Sequence, residues 1–325
     1  MKRSLLALAF VAACSSSEPA PAAIDTGAAD DGGEDTTPKP PIDPRLFDCT
    51  APKLPPRKAT ATPEACLRDP KCKTRLVSGH RGAGGDLGRI APEDSLAAYR
   101  AAIVMGLDIV ETDPRPSKDG ILVNLHDPTV DRTTNGKGNA ADLTFTELRA
   151  LTLKTGELQG DFSCEKIPTL VELLTLCKGR ALVLIDANKT DRVDLLVAAI
   201  KEAGALDWAV FDTSGLDKID QALLLEPKLM IMPRIGDAAS APAILARYKD
   251  HLPVLVEIDA KLFPTTVDLV HAAGTRTFTD VFTTDVGVKL GSPPSQYLLT
   301  YEKGADVVQT DLPDLVLGAL GRAPD

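Results

Sequence analysis

From Arg75 onward, short apolar runs alternate with amphipathic stretches, and this is the feature that most narrows the fold. Apolar runs bounded by turn residues suit strands buried on both faces, and the amphipathic stretches between them suit helices that cover those faces. The pattern predicts an α/β fold with a parallel sheet. Candidate strands fall at 76–79, 107–112, 121–125, 181–185, 208–211, 229–232, 254–258, 275–279 and 306–309. These are nine where a closed (β/α)8 barrel takes eight, so at least one lies outside the barrel or is not a strand. Candidate helices fall at 93–105, 192–203, 216–225, 241–248, 266–272 and 312–320. The first starts on Pro92, Glu93 and Asp94 and carries Leu96, Tyr99 and Ile103 on one face. Residues 127–163 break the rhythm: they are polar and hold turn pairs such as Asn135-Gly136 and Thr155-Gly156. They read as an inserted loop region after the third strand, above one face of the barrel, where loops carry function.

The start of the chain reads as an address. Lys2 and Arg3 precede an apolar stretch at 5–13, too short to span a bilayer, that ends on the small pair Ala12-Ala13. Val11-Ala12-Ala13-Cys14 is similar to the bacterial lipobox, which implies lipidation at Cys14; the alternative is an ordinary signal peptide with an incidental cysteine. The expected layout is a leader at 1–14, a disordered acidic and Pro-rich tether at 15–48, a Cys-containing extension at 49–74 and the barrel at 75–322. The tether has almost no large apolar residue, so burial cannot offset its ordering entropy. The protein is thus expected to be exported and anchored to a bacterial membrane, facing the periplasm or the cell surface. Five cysteines remain beyond Cys14. Cys66 with Cys72, and Cys164 with Cys177, are expected to pair, leaving one thiol over, while the absence of a CxxC pair weakens a zinc reading. The formal charge of −10 argues against a nucleic-acid backbone as ligand, and nothing indicates an obligate protein partner.

Chemistry-bearing residues gather at strand ends. Glu111 and Asp113 stand two apart at the end of the second strand, so they project to one face. Adjacent carboxylates are either surface acids or the oxygen ligands of a hard divalent cation, which cancels their repulsion. His80 follows the first strand and His126 the third, and strand C-terminal ends form the catalytic rim of a barrel. His251 and His271 lie at helix ends or in loops. The loop at 83–89 is rich in glycine but lacks the GxGxxG spacing, and reads as a flexible lip over the substrate. Glu257 lies near the end of a strand and is a further candidate for the rim.

Several motifs occur in one order: His80-Arg81-Gly82, Ala91-Pro92-Glu93-Asp94-Ser95, Glu111-Thr112-Asp113, Ser117-Lys118-Asp119-Gly120, His126-Asp127, Asp131-Arg132-Thr133-Thr134-Asn135-Gly136 and Gln309-Thr310-Asp311-Leu312-Pro313. Together they resemble the glycerophosphodiester phosphodiesterase family over about Arg75 to Leu320. The resemblance implies a TIM barrel, one divalent ion (calcium or magnesium) and a glycerophosphodiester as substrate. It also implies metal ligation by Glu111 and Asp113, an acid–base pair in His80 and His126, and attack by a glycerol hydroxyl through a cyclic intermediate. Arg81 would then hold a phosphate oxygen. Where the family commonly shows Glu-x-Lys after the fourth strand, this chain reads Asp186-Ala187-Asn188-Lys189. Asp186 is the expected third ligand. Either Lys189 reaches the phosphate through a turn, or Asn188 faces the site and Lys189 is solvated. Rival functions are a phospholipase D- or C-like barrel acting on intact lipids and a non-catalytic binding lipoprotein. Aromatic residues at 4% speak against a lipid-inserting rim.

Overall fold

The computed structural model describes residues 41–56, 63–69 and 71–322. Cys14, the leader and most of the expected tether lie outside these residues. Among the described residues no helix is long and apolar enough to cross a membrane.

Among the described residues ten strands occur in chain order: β1 (Leu76–Gly79), β2 (Ile109–Thr112), β3 (Pro114–Pro116), β4 (Leu122–Asn124), β5 (Leu182–Asp186), β6 (Ala209–Thr213), β7 (Met230–Ile235), β8 (Val256–Ile258), β9 (Thr277–Asp280) and β10 (Val307–Thr310). Eight of them close a parallel barrel in the order β1, β2, β5, β6, β7, β8, β9, β10 and back to β1. All five residues of β5 and of β6 are buried, which is why such strands read as continuous apolar runs rather than as an alternation. The surplus strand is the third: β4 pairs antiparallel with β3 outside the barrel. The sequence hid β3 because it begins and ends on proline, which a ladder tolerates only at an edge.

The insertion therefore leaves the barrel directly after β2. It has a small core of its own, with Val123, Leu125, Val130, Leu148 and Ile167 buried together. The helix expected from 93 begins later, at Leu96–Met105, because Asp94 takes a left-handed backbone (φ 55°) and Ser95 caps the first turn by accepting from the Ala98 N–H. Glu93 and Asp94 are thereby released from the helix toward the strand ends.

The barrel's N-terminal cover also differs from expectation. Ile42 and Phe47, placed in the expected tether, are buried, and the Arg100 Nε donates to the Phe47 carbonyl at 2.8 Å. Cys66 pairs with Cys72 as expected, but Cys164 pairs with Cys49 rather than with Cys177, which is a buried free thiol inside the helix Leu170–Cys177. Sequence proximity favoured Cys177; burial in the helix face against the barrel removes it. The 115-residue separation of Cys49 and Cys164 gives a long closed loop, the kind whose closure constrains the unfolded chain by about 5 kcal/mol in the chain-entropy account.

Candidate active site

Strand register assembles the acidic centre. Glu111 pairs across to Leu184 and Thr112 to Ile185, so Asp113 and Asp186 follow side by side where the two strands end. One carboxylate oxygen from each of Glu111, Asp113 and Asp186 lies within 4.8 Å of the others, and all three side chains are buried. Thr112, between the two acids, faces the other way and accepts from the Tyr99 hydroxyl. Burial, then the neighbouring Asp113, Asp94 and Asp186 charges, push the Glu111 pKa well above the usual carboxylate range. Such a concentration of buried negative charge needs a cation. A hard ion with oxygen ligands at about 2.3–2.6 Å spans the observed separation, and Asp113 keeps a buried Oδ2 with no hydrogen-bond partner. The donor set thus fits one divalent metal.

Lys189 answers the question the sequence left open. After Asp186 the chain enters a 3-10 turn, Ala187–Lys189, so strand alternation stops and Lys189 swings back. Its Nζ lies 3.1 Å from Asp113 Oδ1 and 3.8 Å from Asp186 Oδ2. Asn188 braces the turn instead: its Nδ2 donates to Asp186 at 2.7 Å and its Oδ1 accepts from Thr213 and Ser214.

Arg81 departs from expectation. Its backbone N–H donates to Glu111 at 3.0 Å, but the guanidinium is buried beneath the centre, with Nη1 on Glu93 and Asp86 and Nε 3.7 Å from Asp113. The fork expected for a phosphate is turned to carboxylates, because a left-handed backbone at Arg81 (φ 51°) directs it inward. The cation that remains more exposed is Lys189.

The two histidines stand on different supports. Gly79 pairs with Thr310 across β1 and β10, which sets His80 beside Asp311, and Nδ1 meets Asp311 Oδ1 at 2.6 Å. Asp311 also accepts from the Gly85 and Leu87 N–H groups. The glycine-rich loop is therefore a cradle around this pair and not a flexible lip. Gly85 is required by the close approach: a Cβ there would lie 2.5 Å from both His80 Nδ1 and Asp311 Oδ1. Burial is the largest influence on His80 and opposes an imidazolium, but the Asp311 hydrogen bond and the Asp311 and Asp113 charges together outweigh it and the pKa ends above its ordinary value.

His126 stands just past β4 in the insertion, not on the barrel. Its Nδ1 meets Asp127 Oδ1 at 2.9 Å, and Arg132 donates to both Asp127 oxygens and, at 2.6 and 2.7 Å, to both oxygens of Glu93. The Arg132 hydrogen bond is the main cause that holds Asp127 well below the usual carboxylate range. Glu93 in turn holds Arg81, so the His126–Asp127 hydrogen bond continues into a chain of ion pairs that runs from Asp127 to Asp113.

Across the mouth, Glu257 reaches the rim, with the Arg234 Nε at 2.9 Å. Arg234 also binds Asp212 and approaches Asp186 at 3.4 Å. The ends of β7, β8 and β9 border a cavity of about 410 Å³ lined by Arg234, Glu257, Asp280 and Phe282 among others. A larger recess of about 740 Å³ near Arg68, Lys201 and His251 borders none of these groups. His251 and His271 make structural contacts, with the Leu229 carbonyl and Asp306. In the sequence Asp311, Glu93 and Arg132 stand out only as members of motifs, and nothing local marks Arg115. The partners that tie them to the centre lie far along the chain: His80 for Asp311, Arg132 for Glu93 and Lys189 for Arg115.

A family model described as the Glycerophosphoryl diester phosphodiesterase family matches residues 80–315. A glycerophosphodiester phosphodiesterase of Caldanaerobacter subterraneus subsp. tengcongensis is 32% identical over 215 residues, covering 59% of this chain and 86% of that protein. Mouse glycerophosphodiester phosphodiesterase 1 is 42% identical over 123 residues, which is 36% of its own length. A solved glycerophosphodiester phosphodiesterase of Agrobacterium tumefaciens superposes with a TM-score of 0.62 at 25% identity, over 75% of this chain and 100% of that one. An Oleispira antarctica phosphodiesterase in complex with the product sn-glycerol-3-phosphate shares the fold, with a TM-score of 0.63 at 24% identity over 78% of this chain and 99% of that one.

Proposed function

The chain belongs to the glycerophosphoryl diester phosphodiesterase family and hydrolyses glycerophosphodiesters, and from that premise we propose how its residues share the reaction. Glu111, Asp113 and Asp186 would hold one divalent ion, calcium or magnesium. When bound, the ion supplies positive charge that polarises a phosphate oxygen. Lys189 binds a second phosphate oxygen, moving from Asp113 to the more exposed negative charge. Arg81 stays below and balances the carboxylates.

His80, kept cationic by Asp311, donates a proton from Nε2 to the leaving alkoxide. His126, oriented through Nδ1 by Asp127, accepts a proton at Nε2 from the attacking hydroxyl of the glycerol. Water then opens the cyclic phosphodiester with the two roles exchanged. The observation that carries this division is the His80–Asp311 contact, which stabilises the charged imidazole a proton donor requires. The cavity of about 410 Å³ offers room for the part of the substrate beyond the phosphate.

The test is product identification on glycerophosphocholine, before and after chelation. Glycerol 3-phosphate and choline are expected, with activity lost on chelation and restored by calcium or magnesium. Phosphocholine as product would overturn the assignment of the broken bond, and indifference to chelators would remove the ion.

Lipid anchoring at Cys14 is also proposed, supported by Val11-Ala12-Ala13-Cys14 and by two disulfides that suit an oxidising compartment. Cys14→Ser is expected to free the protein from membranes in fractionation; continued sedimentation with membranes would exclude the anchor.

A further inference from the structure

Arg115 lies at the centre of β3, half-buried, where the insertion meets the barrel. Among the described residues its hydrogen bonds go to main-chain carbonyls alone. Nε donates to the Leu125 and His126 carbonyls at 3.1 and 3.0 Å, Nη2 donates to the His126 carbonyl at 2.7 Å, and Nη1 donates to the Lys189 carbonyl at 3.3 Å. One planar group therefore joins two segments that carry the proton-accepting His126 and the phosphate-binding Lys189, the second of them 74 residues from Arg115. His126 is not on a barrel strand, and its ring is oriented by Asp127 and Arg132, so the position of its backbone over the centre depends on such links. A guanidinium offers several donors in a fixed fork; an ammonium cannot reproduce that geometry.

We infer that Arg115 is a positioning residue, which sets the distance between His126 and Lys189 without touching the substrate. This rests on the roles proposed above for those two side chains.

Steady-state kinetics on glycerophosphocholine with the metal-loaded full chain test it through a double-mutant cycle. Arg115→Ala is expected to lower kcat about 100-fold, the size of effect that a misplacement of about 1 Å produces, with KM changed much less. Arg115→Lys, which keeps the charge and is the safer variant for folding, is expected to recover little of that loss. In a His126→Ala background, Arg115→Ala is expected to lower kcat by about 10-fold or less, because one of the two groups whose spacing it sets is gone while Lys189 remains. Equal fold losses in both backgrounds, or full activity in Arg115→Lys, would overturn the inference. A His126→Ala variant with normal kcat would instead sink the role of His126. A crippled His126→Ala beside a fully active Arg115→Ala would sink Arg115 alone.

Discussion

His80 takes its position from the barrel, whereas His126 takes its position from the insertion. The first is set by hydrogen-bonded register between β1 and β10 and is clamped by Asp311, 231 residues away. The second follows a short antiparallel strand, is clamped by its neighbour Asp127, and is tied to the barrel through the side chains of Arg115 and Arg132. A closed sheet cannot shift one strand without disturbing all its neighbours, so the barrel half is rigid by construction. The insertion half has its own small core and is joined to the barrel in part by these few polar links. Single substitutions away from the histidines should therefore damage the two halves by different routes.

The largest expected effects break both halves directly. His80→Ala and His126→Ala should each lower kcat by about 10²- to 10⁴-fold, the span of general acid–base catalysis, in an assay of glycerol 3-phosphate release with folding checked by circular dichroism. Near-normal turnover in either variant would leave one half of the comparison without a catalytic role.

A smaller effect isolates the barrel half. Gly85→Ala places a methyl group against both His80 and Asp311, and should lower kcat about 10- to 100-fold by displacing that pair. Because the insertion makes no use of Gly85, adding Arg115→Ala should multiply this loss rather than be absorbed by it. An unaltered kcat would show that the pair can move aside without consequence.

The smallest effect is a shift in pH dependence. Asp311 raises the His80 pKa, so Asp311→Asn should lower it and move the alkaline limb of the rate profile to lower pH. The same pair has a stability signature. The stabilisation linked to His80 is complete below its ordinary value of 6.5 and is lost as pH rises through the raised folded value. That linked to Asp311, whose folded pKa is depressed, is present above its ordinary 3.8 and is lost as pH falls through the lower folded value. Thermal melts of the wild type and Asp311→Asn across this range should differ most between the two limits, and a constant difference at every pH would contradict the linkage.

The sequence by itself determined the alternation of strands and helices and the placement of His80, Glu111 and Asp113 at strand ends. These follow from local periodicity, since side chains two apart on a strand share a face and the residue after a buried run stands at its rim. Where periodicity lapsed, the reading lapsed with it. Proline at both ends of β3 concealed a strand, the left-handed Asp94 delayed a helix, and the 3-10 turn after Asp186 returned Lys189 to the acidic centre. Only the tertiary structure decided that His80 meets Asp311, that Cys49 rather than Cys177 joins Cys164, that the Arg81 fork turns inward, and that Arg115 bridges two segments. Barrel closure and register bring His80 to Asp311, and the others depend on contacts between segments that no local spacing relates.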